Sequence, residues 1–170
     1  KQEQASKSIM VLQKQGEGVT APENALLVNL PKFSNREAMS DIMAQMSNYL
    51  ENALINATLR GTAYTAPATV YLALYTSDPT DADTGTEVTG GGYARQPATF
   101  TAPVDGVTSL ASNVSFPQAT ANWGTVTHVG IRDALTGGNL LYHTSLTTPR
   151  NILSGDDISI LAGEVQVTLS

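Results

Sequence analysis

VYLALYTSDPTDADTGTEVTGGGYARQPATF, residues 70–100, sets two β-rich runs on either side of an acidic, glycine-rich loop. The first run, residues 70–75, stops at Asp78-Pro79, where proline removes a ladder donor. The second restarts at Tyr93. Working outward, WGTVTHVGI (123–131) and GGNLLYHTSLT (137–147) extend the pattern into a compact antiparallel β module. Candidate strands cover 69–75, 93–100, 107–110, 113–116, 125–132, 139–146, 151–153, 157–161 and 164–169. In the last of these Val165, Val167 and Leu169 alternate with Glu164, Gln166 and Thr168, the period-2 pattern of a half-buried strand. Asp105-Gly106, Gly137-Gly138-Asn139, Ser154-Gly155-Asp156 and Ala162-Gly163 supply the turns. Short strands at such spacing predict a mainly β fold, an antiparallel β-sandwich or flattened barrel, with one N-terminal amphipathic helix and an extended N-terminal arm.

The helix is predicted over 35–59. Ser34-Asn35-Arg36-Glu37 matches a capping box. Met39, Ile42, Met43, Met46, Leu50, Ala53, Leu54 and Ala57 then form an apolar stripe at helical spacing, and Gly61 is a stop. Residues 50–57 are expected to cover the β module. The Met-rich first half offers a surface to partner helices, and equally fits an ordinary core helix, where Met is a common gap-filler. Ahead of it, KQEQASKSIMVLQKQGEGVTAPENALLVNLPKF has two short apolar bursts separated by Gly16, Gly18 and Pro22. Neither burst has a partner within the arm. The domain boundaries read as an arm over 1–33, a helix over 34–61 and a β-sandwich module over 62–170. Because termini order only when tied down, the arm is expected to lie on a neighbouring chain, the alternative being that it packs back on its own domain. Ile9, Val11, Leu12, Leu26, Leu27 and Leu30 would be its anchors, with Met39, Ile42, Met43 and Met46 completing the interface. Each such side chain contributes about 1.5–3 kcal/mol when fully buried.

Composition narrows the function classes. Of 170 residues, 41% are hydrophobic and only 14% charged, against roughly 25% charged in an average soluble domain. The net charge is -6, with 9 basic residues scattered along the chain. That pattern gives no electrostatic footprint for nucleic acid and no polybasic segment for anionic lipid. No apolar run approaches the roughly 20 residues of a membrane-spanning helix. Cysteine is absent, which excludes disulfides and cysteine–zinc sites and fits assembly in a reducing cytosol.

No catalytic constellation emerges. Asp78, Asp81, Asp83 and Glu87 share one loop, but 81–85 lacks the ligand spacing of an EF-hand, so a solvated acidic loop is expected. Gly90-Gly91-Gly92 opens no helix and has no adjacent lysine, so it reads as a sharp turn rather than a phosphate cradle. His128 and His143 are placed on sheet faces with no third ligand in sequence, and no GxSxG elbow exists. Trp123, the single tryptophan, is assigned to the core. The chain is therefore read as a non-enzyme with no cofactor and no metal.

Three blocks carry a resemblance: MSNYLENALINATLRGTAYTAPATVYLALYTSDPTDADTGTEVTGGGYARQPATF (46–100), SNVSFPQATANWGTVTHVGIRDALTGGNLLYHTSLT (112–147) and SGDDISILAGEVQVTLS (154–170). From Met46 onward the chain resembles a family of small tailed-bacteriophage virion structural proteins, tail-fibre-like or capsid-decoration. LYTSDPT, GGGYARQ and WGTVTH are its most specific parts. The resemblance implies a cement protein bridging major capsid subunits on the head surface. The other role it implies is a tail fibre or baseplate-associated protein of host adsorption. The implied partners are the major capsid protein and further copies of the chain, as a trimer or other symmetric oligomer.

Overall fold

The computed structural model describes residues 44–169. In chain order the elements are β1 (Gln45–Met46), α1 (Asn48–Leu59), β2 (Val70–Tyr75), β3 (Gln96–Ala98), β4 (Val107–Ser109), β5 (Val114–Ser115), β6 (Gly124–Arg132), β7 (Leu140–Ile152), β8 (Ser159–Ile160) and β9 (Gln166–Thr168). Five strands form one antiparallel sheet in the order β1-β7-β6-β2-β3, while β4 pairs with β9 and β5 with β8 as separate ribbons. The sheet has two edges, so the layered alternative holds and the barrel does not.

The helix expected over 35–59 starts at Asn48, because residues 44–47 are extended. Residues 35–43 and the Ser34–Glu37 box lie outside the described residues. Ser47 is the reason for the late start. Its backbone is extended (φ -76°, ψ 153°) and its hydroxyl accepts from the Leu50 N–H at 3.3 Å. It is the N-cap, a role Ser fills because its oxygen satisfies an orphan amide of the first turn. The same hydroxyl donates to the Leu140 carbonyl, and the Ser47 N–H donates to the Leu141 carbonyl at 3.0 Å. These bonds commit 44–47 to β7. On α1, Leu50 is buried and Ala53, Leu54 and Ala57 are half-buried. Gly61 (φ 67°) ends the helix, with the Thr62 N–H returning to the Asn56 carbonyl at 3.1 Å.

Register assigns every side chain of the sheet to a face. Leu72 opposes Ile131 and Leu74 opposes Val129, so these four share one face. With Val126 they meet Leu110, Val114, Phe116, Ile160, Val165 and Val167 from the ribbon side in one apolar layer. Ala73, Tyr75, Gly130 and His128 fall on the opposite face, where Ala73, Tyr75 and Leu140 form a second, small cluster. A Cβ on Gly130 would stand 2.8 Å from both the Leu140 side chain and the Tyr75 ring. Glycine there lets those two meet across β6.

Two expected strands, 139–146 and 151–153, fuse into β7. The ladder with β6 is irregular between the pairs His128–Ser145 and Val126–Arg150, leaving 146–149 opposite Thr127 alone. Pro149 sits in that exposed bulge, where no ladder donor is needed. The strand expected over 93–100 shortens to Gln96–Ala98. Tyr93 instead closes a turn, its N–H donating to the Gly90 carbonyl at 2.9 Å.

Leu72 is fully buried between β3 and β6. Leu72→Ala is expected to cost about 2–5 kcal/mol in urea unfolding, whereas Leu169→Ala, at a half-exposed site, should cost under about 0.5 kcal/mol.

Candidate functional site

Of the sequence-predicted interface residues, Ile9, Val11, Leu12, Leu26, Leu27, Leu30, Met39, Ile42 and Met43 lie outside the described residues. Met46 is described: it opposes Tyr142 and packs half-buried against the main core, so its side chain serves the module itself.

As expected, most of the acidic loop is exposed, Asp78, Asp81 and Asp83 included, but it also folds back over the second face of the sheet, which was not anticipated. Its own bonds close it: Thr84 N–H to Pro79 O at 2.7 Å, Thr76 N–H to Thr86 O at 2.9 Å, and Asp83 N–H to Thr80 O at 3.2 Å. Gly85 has no room for a side chain, since a Cβ would meet the Pro79 backbone at 2.5 Å. The Asn48 N–H, at the start of α1, donates to the Asp81 carbonyl at 2.9 Å.

Each carboxylate of the loop then meets a basic side chain. Arg132 holds Asp83 through two bonds of 2.8 Å and donates to the Tyr75 hydroxyl at 2.7 Å and the Gly138 carbonyl at 2.9 Å. Arg95 holds Glu87 through bonds of 2.8 and 2.7 Å and donates to the Ala134 and Gly137 carbonyls, both at 2.7 Å. Two planar guanidinium forks thus bind the acidic loop and the turn 133–139 together. Burial works against the charge on Arg132, but the bonds to Asp83 and Tyr75 outweigh it, and its pKa is raised. His143, only 2% exposed, has Nε2 3.0 Å from Asp81 Oδ1 and Nδ1 3.6 Å from Asp78 Oδ1. His128 Nε2 lies 3.7 Å from the same Asp78 oxygen.

A cavity of about 350 Å³ opens between this loop and the first turn of α1, lined by Ser47, Tyr49, Asp81 and Asp83 among others. No nucleophile with an oriented base faces it.

The remaining residues singled out in the sequence are structural. Trp123 is buried, donates Nε1–H to the Gly91 carbonyl at 2.8 Å, and meets the Tyr93 ring edge-on at 5.4 Å. Tyr93 stacks on Phe116 at 6.1 Å. All three glycines of 90–92 have positive φ, as a sharp return turn requires.

What the sequence reading missed was the meeting of loop and face. The available signal was the i, i+4 placement of His128 and Arg132 on one face of a strand whose other face carries Val129 and Ile131. Basic groups there need acidic partners, and the acidic loop leaves the adjacent strand.

A family model described as podophage GP4 fiber I protein gp80 matches residues 45–168, from β1 through β9. The chain belongs to that family. It is accordingly a structural component of a bacteriophage virion. The comparison with curated proteins finds no match.

Two outcomes test the site. Arg132→Met strands Asp83 and Tyr75, and is expected to cost about 1–3 kcal/mol with faster proteolysis within 76–87. Burial pushes the Tyr75 and Tyr93 phenols above their ordinary value. The folded state therefore holds these protons after the unfolded chain has begun to lose them. Their contribution is complete below about pH 10 and is lost as pH rises beyond it. Melting temperature should stay level up to about pH 10 and fall progressively as pH rises above it, less steeply for Tyr93→Phe.

Proposed function

We propose that the chain is a non-catalytic fibre subunit of the virion, its β module forming the fibre body and the segment ahead of it making the attachment. The family match carries this reading, because it spans the module from first strand to last and the family is described as a fiber protein. The sequence alone favoured a cement protein on the head; no observation on the module favours that place over a fibre. The partners proposed are further copies of the chain and an attachment surface on the particle, in place of the major capsid protein.

The outer face of α1 supports association between copies. Ile55 is 52% and Leu59 79% exposed on the side turned away from Leu50 and Leu54. Large apolar side chains left bare on one helix face usually mark a contact. Weak contacts of this kind suffice when many copies share one particle, since each contact after the first is effectively intramolecular.

Gold-labelled antibody on purified virions is expected to decorate fibres, with a copy number matching fibre multiplicity. Label spread over the head, at the copy number of the capsid lattice, would replace this reading with the cement one. Deleting residues 1–43 is expected to leave a β-rich circular dichroism spectrum and to abolish incorporation into particles. Normal incorporation would remove the attachment role from that segment.

A further inference from the structure

We propose that the cavity between the acidic loop and the first turn of α1 binds one neutral, hydroxyl-rich ring, a single unit of a saccharide. The assignment rests on the cavity alone and holds wherever on the particle the module sits. At about 350 Å³ the cavity is at the small end of ligand pockets, which run from about 300 to about 1,000 Å³. That is room for one ring and not for a chain. Charge decides the ligand class first. Asp81 and Asp83 both line the cavity, so an anion is repelled. A cation is opposed from the other side. Arg132 already neutralises Asp83 through both carboxylate oxygens, and the first turn of α1 presents the positive end of the helix dipole. Asp81 is engaged as well, its Oδ1 lying 3.0 Å from His143 Nε2. A neutral ligand is the class that neither set opposes.

The unused groups then ask for hydroxyls. Among the described residues, the Asn48 side chain, the Tyr49 hydroxyl and the Tyr49 N–H have no hydrogen-bond partner. Asn139 Nδ2 donates to Asp133 Oδ2 at 2.8 Å, which fixes that amide and leaves its oxygen as an open acceptor. Donors and acceptors are thus mixed around one space. A hydroxyl both donates and accepts, so a ring carrying several of them satisfies such a set. An apolar ligand would strand it. Tyr49, 43% exposed, adds an aromatic ring to the lining, and Leu140 adds an apolar wall. The C–H face of a sugar ring packs against surfaces of that kind.

The walls are already fixed. The Asn48 N–H donates to the Asp81 carbonyl at 2.9 Å and so ties loop to helix. Arg132 holds Asp83, and the Asn139 N–H donates to Asp133 Oδ1 at 2.6 Å. The Ser47 hydroxyl donates to the Leu140 carbonyl. These bonds leave the Asn48 side chain, the Tyr49 hydroxyl and the Asn139 oxygen unspent, so binding needs little further ordering. One such site is weak. A ring of about twelve heavy atoms at ordinary ligand efficiency dissociates in the low millimolar range. Many copies on one particle turn that into firm attachment to a saccharide-covered surface, since each contact after the first is effectively intramolecular.

The test is saturation-transfer NMR on the full-length chain with the methyl glycosides of glucose, galactose, mannose and N-acetylglucosamine, each titrated singly. Arginine and inorganic phosphate serve as the charged comparisons. Expected is transfer to at least one glycoside, with a dissociation constant of about 1–10 mM, and none to arginine or phosphate. Tyr49→Ala and Asn48→Ala, both at exposed positions, should each weaken that binding at least about tenfold and leave the circular dichroism spectrum and melting temperature unchanged. Ile55→Ala, on the outer face of α1, should bind as the parent does. Absence of transfer to all four glycosides overturns the proposal. So does undiminished binding by both cavity variants, and so does transfer to arginine or phosphate that the cavity variants abolish.

Discussion

Arg132 ends the central strand of the sheet with a guanidinium that is nearly buried, and the arrangement of everything on that face follows from how its charge is met. Its neighbours Val129 and Ile131 belong to the apolar layer, so register alone sends Arg132 to the other side. A buried cation without an anion costs several kcal/mol. Asp83 supplies the anion in a two-bond fork, Tyr75 and Gly138 supply further acceptors, and only Nε is left without a partner among the described residues. Asp83 reaches that place with positive φ (55°), as does Thr80 (56°), a backbone shape uncommon outside glycine. The loop accepts two unusual conformations to deliver its carboxylates. A hydrophobic pair could stabilise the fold as well; the polar pair fixes where the loop lies.

The alternation of apolar residues and the glycine turns made the strands around 70–75, 125–132 and 164–169 legible, since burial on one face writes itself into the sequence at period 2. Trp123 was legible as core for the same reason: a single large aromatic in a small module has nowhere better to go. The helix start was misread because local propensity runs on through residues 44–46, and only the tertiary bonds of Ser47 to Leu140 and Leu141 pull those residues into an edge strand. Ser47 lacks a Glu or Gln three residues on, so it carried no capping-box signal, whereas Ser34 did. The contacts of the acidic loop were missed for a different reason. Its charges are exposed in sequence terms, and their partners are 49 residues away for Asp83 and 62 for Asp81. No local pattern encodes a contact at that separation. What the sequence did hold was chemistry without placement: four acids in one loop, and two histidines and an arginine on strands.

The sheet edges bear on how copies associate. β1 is two residues long and shields only Tyr142 and His143 of β7. At the other edge β3 is three residues long and carries Pro97, which offers no donor. Short edges and an edge proline discourage growth by strand addition. Side-chain surfaces are then the route to assembly, and the bare Ile55 and Leu59 on α1 are such a surface. A charged fraction of 14% leaves a Thr- and Ser-rich exterior of low charge density, on which the net charge of -6 per copy is spread thinly.

The two faces of the sheet also divide the work of stability. The main apolar layer draws on both ribbons and on one face of the large sheet; the cluster of Ala73, Tyr75 and Leu140 beneath the loop is separate from it. The loop is held chiefly by charged and polar contacts at its carboxylates, with Pro79 as its one fully buried apolar anchor. Regions with few apolar contacts open at lower free energy than cores do. It follows that the loop can loosen or tighten while the layer behind β2 and β6 stays intact. Its exposed ion pairs are weakened by salt screening, which leaves an apolar layer almost unchanged. The module is thus built with an inert side that sets its shape and a polar side whose order depends on the surrounding solution.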